Sequence, residues 1–401
     1  MTPPDTVDPA GFEHTHPRTR IVAGTGTHRR LPELLAELSA RSVFVVCSRT
    51  VAAGPQLAAV REVLGGAIVG VFDGIRPQAG MTSLADAAQR LADARAGAVL
   101  SLGGGATIDT AKYLILLLSR QDPVEDYQVP KGRGRGARPA RALAETSHPH
   151  IAIPTTAGSS SEIMPWAGIR DEAHAEKVLF CDRLLEPDLA VLDPLLVVPT
   201  GPELTATSGV TAIARAVETA YSRQRQPVAD AYAVAALRLL AAGVPRSIVA
   251  PDDLEARGQA QVGAMLSGIA AHNAMVSVVH AVGHAVGGRY ALQHGIAHRI
   301  LLPPVAARLL PAAGDTLPRL AASLDLPAAQ VLDPAVVAGQ VAGRLAELFD
   351  AMPVPARLRE VGVARSHLPE LARAATTEPM LAYSPREVPT AEIEQLLESC
   401  W

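Results

Sequence analysis

The stretch that most limits how this chain can fold is residues 101–112, SLGGGATIDTAK. An apolar, strand-like run at 98–102 ends in Gly103, Gly104 and Gly105, and a helical pattern opens at about Thr107. Glycines let a backbone approach a ligand closely and accept positive φ. A helix N-terminus straight after them offers unpaired N–H groups and partial positive charge to a phosphate. The spacing is neither GxGxxG nor a Walker A motif, so by itself it also suits a plain strand–helix turn. A second loop, residues 153–162 (IPTTAGSSSE), sets Thr155, Thr156, Ser159, Ser160 and Ser161 around Gly158. Small hydroxyl donors suit phosphate or amide recognition. They equally suit a turn that caps a helix.

Around these loops, strand-like runs lie at 42–47, 67–72, 98–102, 150–153 and 190–192, with helical stretches at roughly 31–40, 55–64 and 82–95. Strands that alternate with helices predict a parallel, doubly wound sheet covered on both faces. From residue 203 the pattern is helical: 203–221, 227–242, 254–271 and 275–287. The reading is therefore a loose arm at 1–18, an α/β dinucleotide-binding domain at 19–198 and an all-α domain at 199–401, with the junction near 194–202. The segment KGRGRGARPAR, with Lys131, Arg133, Arg135, Arg138 and Arg141, reads as an exposed mobile loop, or as a grip for an anionic ligand or partner.

Composition narrows the function classes. Hydrophobic residues at 48% and charged residues at 19% fit a globular chain rather than a disordered one. A net charge of −4 and 3% aromatics give no reason to expect nucleic acid. Cys47, Cys181 and Cys400 are odd in number and far apart, which indicates neither a disulfide framework nor a zinc cluster. The N-terminal residues have no apolar signal core and no run approaches about 20 apolar residues. The expectation is a cytoplasmic protein without a membrane partner.

Together the two loops resemble the iron-containing alcohol dehydrogenase family, through GGGS-x-x-D-x-A-K followed by PTT-x-G-[ST]-x-SE. The likeness continues through EPDLAVLDP at 186–194, TSGVTAIARAVE at 207–218, VHAVGHAVGGRYALQHG at 279–295 and YSPR at 383–386. The wording TSGxxAIARAVE is similar to that of maleylacetate reductases. The resemblance implies a Rossmann-like N-terminal domain, a helical C-terminal domain of the dehydroquinate synthase-like type, a cleft between them and a homodimer. It implies NAD(P)(H) against Gly103, Gly104, Gly105, Thr107, Asp109, Thr155, Thr156 and Ser159, with Asp109 and Lys112 matching family positions; an early-helix carboxylate such as Asp109 also suits a structural role. Where the family often has an acidic residue for the adenosine ribose, this chain reads Ser48-Arg49. Arg49 suits a 2′-phosphate, which leans toward NADP(H), or it is a plain surface cation.

The family's metal ligands are an Asp and a His four apart on one helix, then two later histidines. Here those positions read Thr211, Arg215, His280 and His294. Threonine is a poor ligand and arginine has no lone pair to give, so no metal is expected. Arg215, aided by His280 or His294, is then a candidate for stabilising an oxyanion or holding a carboxylate, with His284 or His280 supplying the proton. A simple Arg215–Glu218 pair on one helix face is the plainer alternative. His272 and His298 suit either the edge of the site or a structural place. Three functions stay open: a metal-independent NAD(P)H-dependent reductase of a small carbonyl or activated alkene, such as one bearing a carboxylate; a non-redox enzyme that uses acid–base histidines for cyclisation, elimination or isomerisation; and a non-catalytic dinucleotide-binding protein.

Overall fold

The computed structural model describes residues 11–75, 81–130, 140–171, 176–327 and 333–401. Two compact units emerge: Pro17–Thr200, and Gly201–Trp401 together with the N-terminal residues up to His16. The first unit contains strands β1 (Arg20–Ala23), β2 (Val43–Ser48), β3 (Ile68–Ile75), β4 (Ala98–Gly103), β5 (His150–Pro154), β6 (Trp166–Asp171), β7 (Glu176–Cys181) and β8 (Leu189–Leu192). Its helices are α1 (Leu31–Glu37), α2 (Arg49–Ala52), α3 (Pro55–Leu64), α4 (Met81–Ala94) and α5 (Gly105–Ser119).

Six strands form a parallel sheet in the order β1-β8-β5-β4-β2-β3. Successive residues of β2 serve opposite faces, as the two-residue period of a strand requires. Val43, Val45 and Cys47 join a core with Leu31, Leu57 and Leu100, while Phe44 and Val46 join one with Leu84, Leu91 and Leu114. The predicted doubly wound sheet is what forms. Two features escape the sequence reading. The edge strand β1 is four residues long and buries only Val22. The antiparallel hairpin β6–β7 mixes polar and apolar residues.

Helix α5 opens at Gly105, two residues before the expected start, and buries Lys112 completely. The Lys112 amine donates to the carbonyls of Met164 at 2.6 Å and Trp166 at 2.9 Å. Burial, the main influence, pulls its pKa down to about 8 against the opposing pull of Asp109. Asp109, nearly one turn earlier, accepts the Gly168 N–H at 3.1 Å. The pair fastens β6 and the loop before it to α5.

The basic loop at 131–139 lies outside the described residues. Arg141, at its end, pairs with Asp122 at 2.9 Å.

The second unit contains α6 (Pro202–Tyr221), α7 (Pro227–Val249), α8 (Leu254–Ala274), α9 (Val278–Tyr290), α10 (His294–Leu309), α11 (Thr316–Ser323), α12 (Pro334–Asp350), α13 (Leu368–Thr376) and α14 (Thr390–Cys400). Here α7 packs between α6 and α8. Among the described residues α7 is the one single helix long and apolar enough to pass as a span by length and composition, and it buries one face, Ala233, Ala236, Leu237, Leu240 and Val244 among it, within the helical unit. Helix α6 buries nearly every residue from Thr205 to Tyr221.

Within the arm expected through residue 18, contacts with the fold begin at His14. Thr15 and the Asn273 side chain exchange two hydrogen bonds, at 2.7 and 3.1 Å. Arg18 donates to Glu186 and Asp188. The His14 ring stacks on Tyr232, with centroids 6.0 Å apart, and meets His16 edge-on at 4.6 Å. Gln226 caps α7 through Oε1, which accepts from Val228 and Ala229. That fixes its amide orientation, so Nε2 donates to His14 Nδ1, which must be a bare acceptor.

Burial lowers the His14 pKa, with His16 and His272 adding to the effect. A histidine whose folded pKa lies below its unfolded value of about 6.5 contributes stability that is complete above 6.5 and is lost as pH falls through the folded value. Hydrogen exchange at residues 14–16, corrected for intrinsic rates, is expected to lose protection as pH falls below about 6.5. The His14→Phe variant, which keeps the stacking, is expected to show no such pH step; an equal step there would exclude His14 as its origin.

Candidate functional site

Each unit holds part of what the sequence marks out. In the α/β unit, β2, β4 and β5 lie side by side and parallel, with Cys47 opposite Leu102 and Gly103 opposite Pro154. Their C-terminal ends gather Ser48, Arg49, Gly103, Gly104, Gly105, Thr155, Thr156 and Ser159. The strand order reverses between β2 and β4, and an open α/β sheet binds ligands at such a point.

The glycines are needed for close approach. A Cβ on Gly103 would lie 2.4 Å from Thr107 Oγ1, and one on Gly105 would lie 2.6 Å from Ser159 Cβ. Both are closer than real Cβ contacts, and the second meets a rigid part of the neighbouring loop. A Cβ on Gly104 would sit 3.2 Å from Thr156 Oγ1. The two loops picked out separately in the sequence therefore touch. Thr155 donates its N–H to the Gly103 carbonyl at 3.1 Å, and its own carbonyl accepts from Thr200 Oγ1 at 2.7 Å. Ser160 holds φ 60°, a left-handed conformation that costs a non-glycine residue about 1–2 kcal/mol.

Three predicted cofactor residues have structural duties. Thr107 is buried against Gly103 and shapes the loop. Asp109 accepts the Gly168 N–H through Oδ2, the structural role open to an early-helix carboxylate. The Ser48 hydroxyl accepts the Val51 N–H at 3.3 Å and caps α2. Arg49 is exposed at the first residue of α2, and among the described residues no ion pair is recorded for it. Lys112 is the residue whose positioning role the sequence reading missed; its signal was a lone lysine within the apolar run of α5.

In the helical unit, Thr211 and Arg215 project from α6, His280 and His284 from α9, and His294 and His298 from α10. Helices α6 and α10 approach so closely that a Cβ on Gly295 would fall 1.9 Å from the Thr207 carbonyl oxygen. Four imidazoles cluster as a result. Ring centroids are 4.2 Å apart for His280–His298, 5.9 Å for His294–His298 and 5.1 Å for His284–His294. His298 belongs to this cluster, with zero exposure and neither ring nitrogen hydrogen-bonded among the described residues. His272 lies elsewhere, close enough to His14 to lower its pKa.

Glu218 is fully buried and collects donors: the backbone N–H of Ser277 at 3.2 Å and of Val279 at 2.7 Å, Tyr221 Oη at 3.2 Å, and His280 Nδ1. The plainer sequence alternative, an Arg215–Glu218 pair on one helix face, leaves out the longer-range partners that hold these two buried residues. The Arg215 guanidinium, 8% exposed, donates to Ser267 Oγ at 3.2 Å. Burial lowers the His280 pKa, Glu218 opposes this, and Arg215 and His284 add to it. Burial also holds His298 well below its ordinary value, with the other three histidines and Arg215 reinforcing the effect.

These residues do not fit the metal of the family resemblance. The Thr211 hydroxyl is turned back onto the Thr207 carbonyl at 3.0 Å. Arg215 is a permanent cation that already disfavours positive charge on His280 and His298. Among the described residues no group of three or more His, Cys, Asp or Glu is placed to hold an ion.

Comparison with known proteins agrees with this geometry. Residues 17–194 match the model of the iron-containing alcohol dehydrogenases, and residues 205–401 match that of the Fe-containing alcohol dehydrogenase family, C-terminal. The NAD-dependent methanol dehydrogenase of Bacillus methanolicus is 27% identical over 387 residues, covering 94% of this chain and 97% of its own. Maleylacetate reductase 2 of Cupriavidus pinatubonensis is 32% identical over 313 residues, or 77% of each chain. The crystal structure of a 1,3-propanediol oxidoreductase superposes with a TM-score of 0.88 at 24% identity, covering 98% of this chain and 100% of that one, which speaks to the fold. With both halves matched in order over nearly their full length, this chain belongs to the iron-containing alcohol dehydrogenase family and is by family an NAD(P)-dependent oxidoreductase.

Proposed function

We propose that this protein is an NAD(P)H-dependent reductase of a small carbonyl or activated-alkene substrate, in which Arg215 takes the electrostatic part that a metal plays elsewhere in the family. The observation that carries the redox reading is the glycine loop locked against Thr156 and Ser159 at the ends of β4 and β5. A bound nicotinamide would supply hydride to the carbonyl carbon. Arg215 would stabilise the oxygen as it gains charge, or hold a substrate carboxylate. His284, partly exposed on α9, would pass a proton to that oxygen, and His280 and His294 would line the same pocket. The likeness to a maleylacetate reductase supports a substrate that carries a carboxylate.

Arg215→Ala is expected to lower kcat/KM by about 10²–10³-fold, the scale of losing one oxyanion donor. Chelators are expected to leave activity unchanged in an assay that follows NADPH oxidation with small aldehydes, 2-oxo acids and unsaturated acids. Activity that disappears with a chelator and returns with Fe²⁺ or Zn²⁺ would refute the role given to Arg215.

For the cofactor, Gly105→Ala is expected to weaken NADH and NADPH binding at least tenfold in fluorescence titration, because its Cβ displaces the Ser159 loop. The double variant Gly105→Ala/Ser159→Gly is expected to recover part of that loss.

Arg49 supports a preference for NADP(H), since it stands exposed where β2 ends. Arg49→Ala should raise the Kd for NADPH about tenfold and leave NADH within about twofold. Equal effects on both nucleotides would remove the preference.

A further inference from the structure

Helix α9 carries two histidines one turn apart, and each has Nδ1 against a carboxylate. For His280 the partner is the buried Glu218. For His284 it is Glu378, whose Oε2 lies 3.4 Å from Nδ1. Glu378 precedes the short 3-10 turn Pro379–Tyr383 and occupies its N-cap position, where a carboxylate ordinarily bonds the turn's own N–H groups. Its side chain makes no such bond and faces His284 instead. The turn is otherwise anchored, by Leu381 N–H on the Glu378 carbonyl at 3.2 Å and Arg223 N–H on the Tyr383 carbonyl at 2.8 Å. The two side chains are similarly open, His284 at 31% and Glu378 at 28%. His294 meets the ring edge-on, with centroids 5.1 Å apart.

A neutral imidazole carries its proton on one nitrogen, and the hydrogen bond made by the other decides which one meets a ligand. We propose that Glu378 is a positioning residue for His284: by accepting Nδ1–H it selects the tautomer in which Nε2 is the working nitrogen. This rests on His284 as the proton carrier in the reduction. There bare Nε2 first takes a proton from solvent while Nδ1–H stays on Glu378; the carbonyl carbon then takes hydride from the reduced nicotinamide as its π bond breaks toward oxygen, oxygen takes the proton from Nε2, and the ring returns to the neutral Nδ1–H tautomer.

The tautomer can be read without substrate, in full-length, nucleotide-free protein labelled with ¹⁵N-histidine, with His284→Asn identifying the resonances. The wild type is expected to show Nδ1 protonated and Nε2 bare at neutral pH, and Glu378→Ala to reverse this. Wild-type Nε2–H, or an unchanged tautomer in the variant, overturns the proposal. Turnover of whichever carbonyl substrate the NADPH assay identifies gives the second reading. Glu378→Ala is expected to lower kcat by about 10–100-fold, the scale of an outer-shell partner, with KM within about twofold. A wild-type kcat in Glu378→Ala also overturns the proposal. A wild-type kcat in His284→Asn overturns the role of His284 instead, whatever tautomer the spectrum records. Glu378→Met keeps the side-chain bulk and gives the same readings if the alanine variant does not fold.

Discussion

The histidine cluster depends on one buried carboxylate. Glu218 has no exposed surface, and a charge in that position persists only when its oxygens are met by donors. It meets them by reaching from α6 to the first turn of α9, where it accepts from Ser277, Val279 and His280. The same bonds close a strained corner: Met275 holds φ 62° and ψ 160°, a region that costs a non-glycine residue about 1–3 kcal/mol. One side chain thus sets where α9 begins, how it is turned, and which nitrogen of His280 is free. Arg215, nearly one turn earlier on α6, supplies the cation of the same site. Where the family resemblance implies a ligand to a divalent ion, this chain carries a guanidinium, a charge covalently part of the chain, and on the proposed function that charge takes the ion's electrostatic part.

Much of the fold was legible in the sequence because both faces of the central strands are buried. Runs such as SVFVVC announce that condition directly. The strands that escaped notice, β1 and the β6–β7 hairpin, are short or half-covered, so their composition resembles that of a loop. The two loops stood out for a related reason, since consecutive glycines and clustered hydroxyls mark a tight turn or a ligand contact even before the choice between them is made. Their mutual contact did not, because nothing in the spacing of Gly105 and Ser159 says that they touch.

Tertiary neighbours account for the other misses. Arg215 and Glu218 are three residues apart, which suggests a pair on one helix face. Glu218 in fact collects donors that lie as far as 62 residues along the chain. Local periodicity gives no weight to such partners. His298 reads in sequence as one more histidine on an apolar helix, and only the approach of α6 to α10 at Gly295 gathers it with the others. The arm was misjudged in the same way: HTH looks like a polar tail until Tyr232, Gln226 and Asn273 are placed beside it.

Of the 36 lysines and arginines in this chain, only Lys112, Lys131 and Lys177 are lysine. Arg257 is also fully buried, so it is the paired carbonyl acceptors of Lys112, rather than burial alone, that suit an amine at this position. A guanidinium stays charged and carries five N–H donors, whereas an amine with its pKa drawn down can shed its proton and keep two donors for two carbonyls. The same burial makes Lys112 an internal reporter of structural integrity. An acylating reagent meets a nucleophilic amine at that residue only when β6 has detached from α5, so the rate of covalent labelling there, separated from the other two lysines by peptide mapping, counts openings of the dinucleotide-binding unit.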